Sequence, residues 1–281
     1  MKNYDFIFPL GFSCGATQAL RAAGLQFASY PLDWVGSPGI VQSAQLVADG
    51  FEGWLEADDL KLWDVRHGPG FNTRIYRNQK NGFGFSHEFS DFFPFAATYP
   101  KVRETYDRRS RRFLERFEAA KKVLAVYMEI PFRKCPDVAQ IAEGRRLLRL
   151  KAPSAEIDML VFYAEPGVRV PEVRSETEGI TLVACDYRKF DEGEITHFVE
   201  YELLVPYLKA NYTITDTRTD EDRKTYEAIL KNNDTWRWGV GKSRLRQWWN
   251  QRVYKLYRGL EKYLQKRNLI DKEGPLWFVE K

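Results

Sequence analysis

The chain has 281 residues and a net charge of +4, and its 44% hydrophobic content is enough to bury a large core, as one large domain or two closely packed ones. No basic-then-apolar N-terminal signal and no apolar run of about 18 residues is present, which argues against secretion and a membrane span and makes the cytoplasm the expected location. The three cysteines, an odd number and widely spaced, argue against a disulfide framework and a cysteine-based zinc site.

Residues 4–24 place a cysteine where a strand turns into a helix. The apolar run at 4–10 predicts a buried strand, and Gly11 allows a sharp turn after it. Alanine and leucine then recur at helical spacing until Gly24 ends the helix. Cys14 is therefore expected in the first helical turn.

The start of a helix is a favourable place for a thiolate. Unpaired backbone N–H groups and the positive end of the helix dipole favour an anion there, which activates a cysteine as a nucleophile. Cys14 is accordingly a candidate nucleophile, and the backbone around Gly11, Ser13 and Gly15 is a candidate oxyanion site. The alternative is that Cys14 is a small buried hydrophobic residue.

The next segment holds a flanked carboxylate. Asp33 lies between Leu32 and Trp34, so it is expected to be partly buried and to need a partner. It could orient a histidine, or it could tie down the loop by binding backbone N–H groups, which is the commoner use. Residues 38–49 then predict a second helix.

Residues 60–89 alternate in the manner of short strands and contain the best candidate for a general base. His87 follows two glycines that permit close approach of the backbone, and Asp91 is within reach of it. His67 lies in a turn-like segment, and His197 is expected to open a later helix. The alternative for His87 is a structural histidine packed among phenylalanines.

Three separated motifs in this half resemble a known family. The segments LGFSC, GLQFASYPLDW and GFSHEF occur in order over about the first 120 residues, and together they resemble the bacterial family named "putative papain-like cysteine peptidases", a domain-of-unknown-function family. The resemblance implies Cys14 as nucleophile and His87 as base, with Asp33 or Asp91 as orienting acids. It implies no particular substrate.

Residues 99–122 predict a long helix with an arginine cluster inside it. Such a run usually forms a solvated face that pairs with nearby glutamates. The alternative is that the cluster faces a phosphate or another anion. Its members are Arg108, Arg109, Arg111 and Arg112.

The second half has the pattern of a parallel sheet covered on both faces. Short apolar runs at 123–130, 157–163 and 180–186 alternate with a helical segment at 137–150, which indicates a Rossmann-like region. No GxGxxG motif follows these strands, so a nicotinamide dinucleotide is not expected. A sugar nucleotide could fit beyond the strand ends, which carry Glu129, Glu165 and Asp186.

The C-terminal part is predicted to be helical and basic. Residues 195–212 predict a helix kinked at Pro206. Residues 241–267 hold nine Lys or Arg against one acid, a net +8, with an apolar stripe on the opposite helical face. This helix could dock onto its own domain or contact an anionic membrane surface, which would make the protein peripheral at the inner membrane face. Nucleic acid is an unlikely partner because no base-reading motif is present.

The sequence thus predicts an α/β protein in three regions. Residues 1–122 form a mixed α+β part with the cysteine and histidine motifs, residues 123–234 a Rossmann-like parallel sheet, and residues 235–281 a basic amphipathic helix. All three could also form one compact domain. No histidine spacing suited to a metal occurs, and neither a metal nor a cofactor is expected.

Two functions fit this pattern. The first is a cysteine hydrolase or acyltransferase, in which Cys14 attacks a small-molecule, peptide or glycan-linked substrate and His87 is the base. The alternative is a transferase or sugar-nucleotide-binding protein of surface polysaccharide biosynthesis, in which Cys14 only packs and the first loop binds phosphate.

Overall fold

The computed structural model describes residues 1–12, 14–68, 71–90, 94–191 and 194–216, together with seven isolated residues between 218 and 267. Two candidate site residues, Ser13 and Asp91, lie outside the described residues. The same holds for the basic segment 241–267 except Tyr263 and Arg267, so the predicted C-terminal helix stays a prediction.

The secondary structure is mixed. The helices are α1 (Cys14–Ala22), α2 (Ile40–Ala48), α3 (Phe95–Ala119), α4 (Val138–Lys151) and α5 (Val205–Asn211). The strands are β1 (Lys2–Tyr4), β2 (Phe6–Gly11), β3 (Val35–Gly36), β4 (Leu60–Gly68), β5 (Phe71–Asn78), β6 (Gly84–Ser90), β7 (Lys122–Met128), β8 (Glu156–Tyr163), β9 (Glu172–Thr177), β10 (Ile180–Ala184), β11 (Arg188–Asp191), β12 (Glu194–Val199) and β13 (Tyr212–Ile214).

The chain divides into two compact units. The first comprises residues 1–61, 77–85 and 104–217, and the second comprises residues 62–76, 86–103 and the chain from 218 onward. The boundaries expected from sequence, after residues 122 and 234, stay predictions.

A five-stranded sheet forms the centre of the first unit. Its order is β2-β7-β8-β10-β9, in which the first four strands are parallel and β9 runs antiparallel to β10. The predicted parallel sheet of the second half is confirmed. The sequence analysis placed β2 in a separate N-terminal region, whereas β2 is a strand of this sheet and pairs Phe6 with Val123.

Both faces of this sheet are covered, which explains why its parallel strands are apolar throughout. On one face Leu124, Val126 and Met128 of β7 pack in a core that also contains residues of α1 and α5, such as Leu20 and Leu208. On the other face aromatic rings dominate, with the centroid of Phe8 in β2 lying 4.8 Å from that of Phe113 in α3.

The second unit contains most of β4 and β5, the later part of β6 and the start of α3. The Thr73 hydroxyl donates to the Ser86 carbonyl at 2.8 Å, and the ring of Tyr76 lies 4.7 Å from that of Phe89 and 4.8 Å from that of Phe95. The strands expected within 60–89 are present, in a sheet of order β3-β6-β5-β4.

Two helix predictions need correction. Residues 195–212 are not one kinked helix, because residues 194–199 form β12, which pairs antiparallel with β11 and includes His197. Pro206 then lies in the first turn of the short helix α5, where a missing N–H costs no hydrogen bond. The long helix begins at Phe95 and ends at Ala119 rather than spanning 99–122.

In the part of the chain that the structure describes, no helix is both long enough and apolar enough to cross a membrane.

Candidate active site

The turn between β2 and α1 positions Cys14. Every residue of β2 is buried, and Cys14 is the first residue of α1, as the sequence predicts. Its side chain is half-buried, and it is in no disulfide. A thiolate at this position would lie at the positive end of the helix dipole, which favours its negative charge.

Close backbone packing holds this turn against β7. The Phe12 N–H donates to the Met128 carbonyl at 3.0 Å, and a Cβ on Gly15 would lie 2.9 Å from the Met128 sulfur. A Cβ on Gly11, whose φ is +110°, would lie 2.9 Å from Ser37 Cβ. The positive φ and the close approach of Ser37 therefore require glycine at position 11, whereas a side chain at Gly15 would have to displace the side chains of Met128 and Val199. The predicted part of both glycines in an oxyanion site stays a prediction.

Asp33 is fully buried at the end of a short helical turn, Pro31–Asp33. Its carboxylate accepts hydrogen bonds from Arg21 at 2.9 Å, Gln26 at 2.8 Å and the Tyr30 N–H at 3.0 Å. Burial raises the pKa of Asp33, and the Arg21 guanidinium acts against that rise. These contacts are the ones expected of a carboxylate that ties down a loop, which is the use that the sequence analysis left open beside the orientation of a histidine.

His87 lies on β6 in the second unit. It is exposed, whereas Phe85 and Phe89, two positions before and after it in the sequence, are buried. Its backbone N–H is bound by the Glu88 carboxylate at 3.0 Å. The exposure argues against a histidine packed among phenylalanines. The pairing of His87 with Cys14 stays a prediction, as does the role of Asp91.

The carboxyl ends of the parallel strands carry the expected acids, and each has a partner. The Glu129 carboxylate, nearly buried after β7, accepts from the Ile130 N–H at 2.8 Å, and burial raises its pKa. Asp186 binds Arg188 at 2.6 Å, and Glu165 binds Arg174 at 2.7 Å. Asp186 and Glu165 are thus each already paired with an arginine of this chain.

Sequence reasoning missed Arg133, which lies beside the turn that precedes Cys14. Its guanidinium carbon is 5.4 Å from the centre of the Phe12 ring, and Nη1 donates to the Pro38 carbonyl at 3.3 Å. The same nitrogen lies 4.0 Å from Glu129 Oε1. Arg133 therefore supplies a positive charge close to the start of α1. Nothing in the sequence pattern around it signals this position, since it follows β7 by five residues in an irregular segment.

Across the described ranges, no group of three His, Cys, Asp or Glu side chains converges in a way that could hold a metal ion.

Comparison with known proteins adds a family and a viral relative. A family model described as "Putative papain-like cysteine peptidase (DUF1796)" matches residues 5–161, a range that includes Cys14, Asp33 and His87. An uncharacterized protein of Acanthamoeba polyphaga mimivirus is 30% identical over 141 residues, which cover 45% of this chain and 62% of the viral protein. The chain thus spans less than two thirds of that relative's length. No solved structure matches the chain.

Proposed function

Because the chain belongs to the family described as "Putative papain-like cysteine peptidase", we propose that it is a hydrolase that cleaves an acyl bond with Cys14 as nucleophile. The observation that carries the proposal is the position of Cys14, a half-buried thiol at the first residue of α1, directly after a buried strand. A helix start supplies both dipole and backbone donors to a developing negative charge.

The proposed reaction has two steps. The Cys14 thiolate forms a carbon–sulfur bond to the substrate carbonyl, and the resulting oxyanion is held by backbone N–H groups from the predicted oxyanion residues Gly11, Ser13 and Gly15. The leaving group departs with a proton from the His87 imidazolium, which leaves an acyl thioester on Cys14. His87 then takes a proton from water, which attacks the thioester and releases the acid and the thiolate. An acceptor other than water would make the same chemistry an acyl transfer.

Asp33 and Asp91 are the two candidates for the acid that orients His87. Asp33 has both carboxylate oxygens bound by Arg21, Gln26 and the Tyr30 backbone, which supports a role in holding the loop. Asp91 therefore remains the acid that we propose as the partner of His87, four residues away in sequence.

Alkylation kinetics test the proposal. The full-length protein is treated with iodoacetamide at mildly acidic pH, and the modified cysteine is identified by mass spectrometry. We expect Cys14 to react well before Cys135 and Cys185, because an activated thiolate persists at a pH where ordinary thiols are protonated. Equal or slower reaction of Cys14 would contradict the proposal.

Matched histidine variants test the base. The chain has three histidines, so His67→Ala and His197→Ala are controls of the same residue type for His87→Ala. We expect His87→Ala to move the pH midpoint of Cys14 alkylation upward while both controls leave it in place. An unchanged midpoint in His87→Ala would remove His87 from the mechanism. Protection of Cys14 by a nucleoside diphosphate sugar would instead favour the transferase alternative.

A further inference from the structure

Two charged stripes run along helix α3. The first, which we call the acidic stripe, consists of four acids and one arginine at helical spacing, all of them exposed. Its members are Glu104, Asp107, Arg111, Glu115 and Glu118. The second, the arginine stripe, consists of Arg109, Arg112 and Arg116, spaced by three and four residues. Because an α-helix repeats every 3.6 residues, each stripe occupies its own face. The four acids of α3 therefore lie on a different face of the helix from the arginine stripe.

The arginine stripe lies against the loop that precedes Asp33. Arg112 donates to the Ser29 carbonyl, and Arg116 donates to the Tyr30 hydroxyl at 3.1 Å. Arg21, from the last turn of α1, donates to the Ser29 hydroxyl at 2.9 Å. Guanidinium groups from two helices therefore converge on two consecutive loop residues.

Positive charge in this cluster exceeds the negative charge that faces it. Asp33 is the carboxylate there, and it is fully buried and bound to Arg21. Within the described residues, the hydrogen bonds of Arg112 and Arg116 go to neutral groups, a carbonyl and a hydroxyl. The Arg109 guanidinium lies 5.1 Å from the centre of the Tyr106 ring, and its charge also acts on Asp33. Burial, together with the like charges of Arg116 and Arg109, lowers the pKa of Arg112.

Among the described residues, two buried donors in the cluster lack acceptors. The Nε–H groups of Arg21 and Arg112 are buried and have no hydrogen-bond partner among the residues that the structure describes. The Nη2 groups of both arginines donate to Ser29, one to its hydroxyl and one to its carbonyl. The two unsatisfied Nε–H donors therefore belong to guanidinium groups that meet at one residue. A buried donor without an acceptor costs free energy, which an oxygen-rich anion would recover.

We propose that Arg109, Arg112 and Arg116 of α3, together with Arg21 of α1, form a binding site for the phosphate group of a small molecule. The planar fork of a guanidinium donates to two oxygens at once, which matches phosphate geometry. A terminal phosphate brings up to two negative charges and three acceptor oxygens, so it offsets the excess charge better than a singly charged carboxylate. The site does not depend on the cysteine chemistry.

Calorimetric titration of the full-length protein at low ionic strength tests this site. The probes are inorganic phosphate and glucose 1-phosphate, which distinguish a free phosphate from a phosphate ester, with acetate as the singly charged control. We expect millimolar or tighter binding of a phosphate probe and binding of acetate weaker by about tenfold or more. Absence of phosphate binding at millimolar concentration, or equal binding of acetate, would overturn the proposal.

Arginine variants show whether binding occurs at the arginine stripe. We expect Arg112→Gln to weaken phosphate binding by about tenfold or more, and Arg112→Lys to weaken it as well, because lysine keeps the charge but loses the fork. Arg111→Gln is the matched control, since it removes the same charge from the acidic stripe of the same helix and should leave affinity within about twofold.

A second variant covers the case in which Arg112→Gln does not fold. The contact of Arg109 is a ring face rather than the loop backbone, so Arg109→Gln is expected to fold and to weaken phosphate binding. If Arg111→Gln weakens binding as much as Arg112→Gln or Arg109→Gln, the protein attracts anions only through its general charge, and the site does not exist. If Arg112→Gln and Arg109→Gln alter the stability of the protein but not its affinity for phosphate, the arginine stripe serves only to hold the loop.

Discussion

Arg21 Nη2 lies 2.9 Å from Asp33 Oδ2, and this contact joins the last turn of the helix that begins with Cys14 to the loop that follows it. The Asp33 side chain is fully buried, and the Arg21 side chain is 11% exposed. The pair therefore fixes α1 relative to its loop in a setting that water barely screens.

Breaking this pair should be costly. We expect Asp33→Ala to lower the free energy of unfolding by about 3–5 kcal/mol, because Arg21 would be left as a buried charge without its partner. Urea unfolding measures the change. The control is Glu176→Gln, which removes the exposed ion pair with Lys2 and should cost less than about 1 kcal/mol. Similar losses in the two variants would mean that burial gives the Asp33 pair no special weight.

The turn before Cys14 should not tolerate a side chain at Gly11. Its φ of +110° strains any other residue, and a Cβ would lie 2.9 Å from Ser37 Cβ. We expect Gly11→Ala to destabilise the protein by about 2–4 kcal/mol, combining backbone strain and overpacking. Gly24→Ala is the matched control, since Gly24 has a φ of +74° with no atom within 4 Å of the added Cβ, and it should cost about 1 kcal/mol. Thermal unfolding compares the two, and an equal cost would exclude a steric contribution.

Asp186 should make stability fall in acid. Hydrogen bonds from Arg188 and the Gly167 N–H lower its pKa to about 2 in the folded protein. A carboxyl whose pKa is lower in the folded than in the unfolded state contributes its full stabilisation above the unfolded pKa of about 4. That contribution is lost as the pH falls from about 4 toward 2.

The Asp186→Asn variant checks this dependence. We expect it to be less stable by about 2 kcal/mol at neutral pH and to lose less stability between pH 4 and pH 2, as measured by urea unfolding across a pH series. Glu143→Gln is the control, because that carboxylate pairs with Arg146 on the exposed surface of α4 and should leave the acid slope nearly unchanged. If Asp186→Asn loses as much unfolding free energy between pH 4 and pH 2 as the natural chain, the lowered pKa of Asp186 is not the cause of the acid dependence.

Cys185 should be the slowest thiol to react in the folded protein. It is fully buried, and burial raises its pKa to about 11, whereas Cys135 is half-buried. In a Cys14→Ser background at pH 8, we expect iodoacetamide to modify Cys135 well before Cys185. Mass spectrometry over time measures the order, and the same reaction in denaturant should modify both cysteines at similar rates. A Cys185 that reacts first in the folded protein would show that its burial is wrong.

The local pattern of the sequence was enough to predict the elements that surround Cys14. An apolar run, a glycine and alanines at helical spacing predicted β2 and α1, because these signals act within one turn or one strand. Continuous apolar runs likewise predicted the parallel strands β7, β8 and β10, since both faces of such strands are covered.

Contacts between distant residues were decided only by the tertiary structure. The pairing of β2 with β7 joins residues that lie more than a hundred positions apart, and local periodicity carries no information about which strands become neighbours. Residues 194–199 form a strand because β11 lies beside them to accept their hydrogen bonds, although the local pattern favoured a helix. The partner of Asp33 and the loop that faces the arginine stripe were undetermined for the same reason, because a charged side chain shows its need for a partner in the sequence but not the partner itself.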